Sequence, residues 1–210
     1  MSFLPGMRGL LRGAAPGGGP TLLDGSESDG TNLITTGGAG MTADWTPLNT
    51  TLTNATTTAP DGTTTASSLI ENSADNRHIL YRQPYSGAFN FNRTFSIYAK
   101  DGTRRYLQLM VAGSTGIFPK AVVYADLQTG VITDSEALNG ATVVSAAIHA
   151  AVNGFWKIEM VFNLNSSSDN PYVLPALSNV PTYGAPLVAD SPSYAGDGTS
   201  RLYLWRPKLV

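Results

Sequence analysis

The chain has 210 residues, 42% of them hydrophobic and only 13% charged, with 23 threonines, 22 glycines and no cysteine. The missing cysteines exclude disulfides, thiolate catalysis and Cys-ligated zinc. A net charge of −2 without a basic stripe argues against nucleic-acid binding by phosphate neutralisation. No apolar run approaches the roughly 18 residues that mark a membrane-spanning helix.

Residues 1–30 read as an extended N-terminal arm and a Gly/Pro linker. Pro5, Gly6, Arg8, Gly9 and Arg12 interrupt any signal-peptide core or long helix. Phe3, Leu4, Met7, Leu10 and Leu11 are nevertheless too apolar for a solvated tail. The expectation is an arm that docks on a partner, with Phe3, Leu4, Met7, Leu10 and Leu11 as anchors and Arg8 and Arg12 as charge contacts. A disordered leader is the plainer reading. Gly17-Gly18-Gly19 then serves as a linker.

Residues 31–210 read as one all-β domain. Thr50–Asn54, Ala66–Glu71 and His78–Gln83 are the first expected strands. In Arg93–Asp101, Phe95, Ile97 and Ala99 share one face; in Arg104–Ala112, Leu107, Leu109 and Val111 do. Asp101-Gly102 between them predicts a hairpin. Lys120–Leu127 and Gly130–Thr133 predict a second hairpin. Thr142–Ala150 fits strand or helix. Gly154–Asn163 is a strand with Trp156, Ile158, Met160 and Phe162 facing the core, and Arg201–Trp205 is the last. About ten short strands near ten-residue spacing predict a two-sheet antiparallel β-sandwich, a jelly roll.

Several segments carry a resemblance. They are Asn32-Leu33, Trp45, Ala59 through Ala66, Phe95 through Lys100 and Tyr124 through Gly130. Asn153-Gly154-Phe155-Trp156-Lys157, Tyr194 through Ser200 and Leu202-Tyr203-Leu204-Trp205 complete it. In this order and spacing, residues 32–210 resemble the carbohydrate-binding-module-like jelly-roll domains of bacteriophage virion proteins. The resemblance implies a tail-fibre, head-fibre or capsid decoration protein on the particle surface, held to other virion proteins. It also implies a homo-oligomer, with a trimer first, and raises the prior for a structural calcium, for which no ligand set is readable.

The residues themselves give little sign of catalysis. The histidines are His78, in a charged stretch, and His149, among alanines; both read as surface residues. The four glutamates, Glu27, Glu71, Glu136 and Glu159, do not suggest the opposed carboxylates of a glycosidase. The expectation is a non-enzyme without a cofactor. A candidate glycan platform is Tyr98, Tyr106 and Gln108, outward-facing on the first hairpin, joined by Tyr81. Packing of that face against a loop or neighbouring subunit is the competing account. Two functions stand side by side: a structural virion protein anchored by its arm, and a host-surface glycan-binding adhesin.

Overall fold

The computed structural model describes residues 22–26, 31–34, 41–83, 87–114, 118–182 and 191–210. The anchoring residues expected in the arm, Phe3 through Arg12, lie outside these. In chain order the strands are β1 (Thr46–Leu48), β2 (Thr50–Thr57), β3 (Ala66–Glu71), β4 (Asp75–Arg77), β5 (Ile79–Tyr81) and β6 (Gly87–Phe89). Then come β7 (Arg93–Asp101), β8 (Tyr106–Ala112), β9 (Lys120–Asp126), β10 (Val131–Leu138) and β11 (Thr142–Ala150). The last are β12 (Trp156–Asn163), β13 (Ser166–Asp169), β14 (Tyr172–Ser178), β15 (Ser193–Ala195) and β16 (Arg201–Leu209).

Two six-stranded antiparallel sheets make the sandwich. The first has the order β1-β5-β14-β8-β9-β10, the second β11-β12-β7-β16-β3-β2. Short pairs β13-β6 and β15-β4 flank them. No helix among the described residues is long and apolar enough to cross a membrane. The all-β, two-sheet expectation therefore holds, and Thr142–Ala150 is a strand.

The Arg93–Ala112 hairpin does not form. β7 pairs with β12 and β16, whereas β8 pairs with β14 and β9 in the other sheet. The reason is the apolar pattern itself. Phe95, Ile97 and Ala99 of β7 and Leu107, Leu109 and Val111 of β8 are all fully buried in one core. Each Leu, Ile or Phe hidden this way contributes roughly 1.5–3 kcal/mol. The connection stays tight because Thr103 and Arg104 N–H both bond the Arg201 carbonyl. The second predicted hairpin does form, with Asp126 opposite Val131.

Pro47 lies in edge strand β1, and two further prolines sit inside sheets at places that tolerate them. Pro175 lies in central strand β14, opposite Leu109. On its other side β14 meets β5 through Ala176 and Ile79, and Leu177 N–H bonds the His78 carbonyl. Pro175 N points to that thinly paired side, so little ladder is lost. In β16 the register slips between Trp205 and Lys208, with Arg206 at φ 46°. This bulge absorbs Pro207 and lets the strand run to Leu209, beyond the expected end at Trp205.

Residues of the N-terminal region lie on the sandwich. Leu23 forms an isolated bridge with Ala151, and Arg206 donates to the Gly25 carbonyl. Gly25 has φ 84°, and a Cβ there would fall 2.4 Å from the Trp205 ring. Asn32 Oδ1 accepts from Leu209 N–H at 3.0 Å and ties residues 31–34 to the end of β16.

Trp156 joins the two sheets. It begins β12 in the second sheet, and its Nε1 donates to the Leu127 carbonyl at 2.8 Å, in the β9–β10 turn of the first. Its ring occupies the space above Gly130, where a Cβ would lie 2.1 Å away. The side chain is half-buried against the core that holds Ile158, Met160 and Phe162. Trp156→Ala is expected to cost about 3 kcal/mol, the lower end for truncating a packed tryptophan. Denaturant unfolding checks this; wild-type stability would contradict the staple.

Candidate functional site

The outer face of the first sheet is set by register. Residues of β8 alternate, so Leu107, Leu109 and Val111 face the core while Tyr106, Gln108, Met110 and Ala112 face out. Ile79 and Tyr81 from β5, Tyr172, Leu174 and Ala176 from β14, and Val122 and Tyr124 from β9 share that outer face. It is a second apolar cluster, separate from the main core.

A cavity of about 270 Å³ opens on this face. Ile79, Met110, Ala112 and Leu174 line it with apolar groups, Tyr81 and Tyr172 supply aromatic walls, and Arg77 and Leu48 complete it. The two tyrosine rings stand 5.8 Å apart at 68°, edge to face. Both are half-buried, and neither hydroxyl makes a hydrogen bond among the described residues.

The four expected glycan contacts do not converge. Tyr81 lines the cavity. Gln108 lies on the same face but fully buried, donating to the Tyr124 hydroxyl at 3.0 Å. Tyr106 is further along β8, beneath the Arg105 guanidinium at 5.1 Å. Tyr98 is on the other sheet, buried with Phe155 and meeting Trp205 edge-on at 5.2 Å. The loss of the β7–β8 hairpin separates Tyr98 from the rest. Sequence reading missed Tyr172, Arg77 and the apolar floor. Tyr172, Leu174 and Ala176 do alternate with Val173, Pro175 and Leu177, but both sets are apolar and Pro175 masks the strand.

The charged residues are mostly occupied by structure. Glu71 is buried and accepts from Arg104 through both oxygens, from the Tyr194 hydroxyl at 2.7 Å and from Asp197 N–H at 3.0 Å. Burial, and then the Glu71 carboxylate, hold the Tyr194 phenol well above its usual range. His78 is not at the surface as expected. It is fully buried beside Tyr194, each ring nitrogen within hydrogen-bond reach of a backbone carbonyl, Asn49 at 2.9 Å and Tyr194 at 3.1 Å. The chain folds over it where Gly196 passes the ring; a Cβ on Gly196 would sit 2.8 Å from it. His149 is exposed and pairs with Glu159 at 3.3 Å.

The Asp-Gly turns spend their carboxylates locally. Asp197 accepts from the Ser200 hydroxyl and N–H and from Thr199, which holds its carboxyl well below the usual range. Asp61 likewise accepts from Thr63. Among the described residues no three His, Asp or Glu side chains gather where a metal ion could sit. The calcium implied by the resemblance finds no such ligand group there.

Two outcomes follow from these charges. Arg104→Met should cost about 3 kcal/mol in a denaturant melt, because it leaves the Glu71 carboxylate buried without its cation; an unchanged midpoint would show the pair to be idle. Asp126 is bound by the Arg105 guanidinium at 2.9 and 2.6 Å, then by Thr129 and Gln128, and its carboxyl is held well below the ordinary range. A depressed folded-state value means stability fully present above the unfolded value of about 4 and lost as pH falls below it. Melts from pH 5 to pH 2 should therefore slope downward, and Asp126→Asn should flatten that slope while lowering stability at pH 7.

No protein-family model matches the chain, and no curated protein matches it. Among solved structures, the chain is similar to the CBM22-1–GH10 modules of the Clostridium thermocellum endo-1,4-β-D-xylanase 10B, complexed with xylohexaose. The identity is 12% and the TM-score 0.43, over 80% of this chain and 26% of that one. The chain thus spans about a quarter of the length of the structure it matches.

Proposed function

We propose that the chain is a non-catalytic module that binds a sugar chain on the outer face of its first sheet and displays that face on a bacteriophage particle. The observation that carries the sugar reading is the pair Tyr81 and Tyr172 over an apolar cavity. Sugars offer C–H faces that pack on aromatic rings and hydroxyls that need hydrogen-bond partners. Tyr81, Tyr172 and Arg77, which line the cavity, carry groups of the kind that serve as such partners.

The non-catalytic reading is supported by how acids and bases are used. Glu71, Asp126 and Asp197 are taken up by cations and neighbouring N–H or O–H groups, and Glu159 pairs with Lys157 and His149. General acid–base work needs a group within reach of a substrate proton. None of these residues lines the cavity.

The particle reading rests on the resemblance over 32–210 and on the apolar, arginine-bearing residues 3–12. Other virion proteins are then its partners, and a homotrimer is its assembly. Copies held side by side gain avidity, so a weak single site is enough for attachment to a host surface.

A glycan array with the wild-type chain, Tyr81→Ala and Tyr172→Ala tests the sugar reading. Each substitution is expected to weaken retention about tenfold or more, equivalent to the loss of about 1.4 kcal/mol. Labelling intact particles with an antibody to this chain tests its display. Absence of sugar binding, or binding that both variants retain, would move the function elsewhere.

A further inference from the structure

We infer that the cavity takes one sugar residue at a time and that this residue presses a methyl group onto the cavity floor; the inference rests on the sugar-binding reading above. The floor is Ile79, Met110, Ala112 and Leu174, side chains with no nitrogen or oxygen and none more than 7% exposed, so it offers a patch only about the size of one methyl group. The backbone beneath them is paired: Met110 faces Leu174 and Ala112 faces Tyr172 across the β8–β14 ladder. A hydroxyl pressed there would leave water and find no partner. A methyl group would lose nothing and bury apolar area.

The tyrosines set the number of residues. With the rings at 68° and 5.8 Å, a sugar lying flat on one meets the other by its edge. Successive residues of a flat, two-fold sugar ribbon cannot stack on both. The volume, about 270 Å³, is also below the roughly 300–1,000 Å³ of pockets for drug-sized ligands. The corner therefore suits one residue, with Tyr81, Tyr172 and Arg77 as the polar-tipped part of its lining.

A sugar methyl has two sources, the C6 of a 6-deoxyhexose and the acetyl group of an N-acetylated sugar. Calorimetric titration of the full chain with methyl glycosides separates them: L-fucose against L-galactose, L-rhamnose against L-mannose, and N-acetylglucosamine against glucose. In at least one pair the methyl-bearing member is expected to bind about 10- to 200-fold more tightly, the range for a group of this size in an apolar pocket. Ala112→Ser, which puts a hydroxyl on the floor, is expected to reduce that ratio, and Tyr81→Ala to abolish binding of both members.

Equal or tighter binding of the hydroxyl-bearing members, still lost in Tyr81→Ala, would overturn the methyl inference and leave the sugar reading standing. Binding only by longer oligosaccharides, with the same Tyr81 dependence, would overturn the single-residue geometry. Sugar binding indifferent to both Tyr81→Ala and Tyr172→Ala, or no sugar binding, would overturn the reading beneath the inference as well.

Discussion

The burial of β7 against β8 across the sandwich governs the rest of the molecule. Two strands in direct succession each carry a three-residue apolar face, Phe95, Ile97 and Ala99 on one and Leu107, Leu109 and Val111 on the other. As a hairpin they would lay both faces on one side of one sheet and would still need a cover. As members of opposite sheets they cover each other. This choice makes Asp101-Gly102 a crossing between layers, and it gives each sheet an outer face of its own.

The two outer faces then differ in what occupies them. On the second sheet, Tyr98, Phe155 and Trp205 pack together with Leu23 and Ala151, and Gly25 lies directly on the Trp205 ring. On the first sheet, the floor around Met110 and Leu174 carries a cavity with two tyrosines at its side. The few charges contribute mainly by fixing loops. Glu71 gathers Arg104, Tyr194 and Asp197 at one end, and Asp126 gathers Arg105 and its own turn at another. Such clusters stabilise the edges of the sandwich and leave its outer faces to aromatic and apolar groups.

Much of the fold was legible in the sequence, because period-2 alternation reports which face of a strand is buried. Ala66–Glu71 is legible with its observed bounds, and the turn read at Gln128-Thr129-Gly130 falls inside the observed connection between Asp126 and Val131. Alternation does not report which strand lies alongside, and there the β7–β8 hairpin failed. β14 is hidden because both of its alternating faces are apolar and Pro175 interrupts it, so no polar–apolar pattern marks it. With it go Tyr172 and Leu174 of the cavity lining. His78 looked exposed because Asp75, Asn76 and Arg77 precede it; the segments that bury it, around Asn49 and Tyr194, are remote in sequence. Tyr81 is legible as an aromatic residue in the expected strand His78–Gln83, whereas its pairing depends on a neighbour 91 positions away.

On the proposed function, ligand recognition belongs to the outer face of the first sheet. Backbone amide shift mapping during titration with a sugar selected on the glycan array tests it most directly. Perturbations are expected to concentrate at Arg77–Tyr81, Met110–Ala112 and Tyr172–Leu174. Perturbations centred instead on Tyr98, Phe155 and Trp205, with the first sheet unmoved, would contradict it.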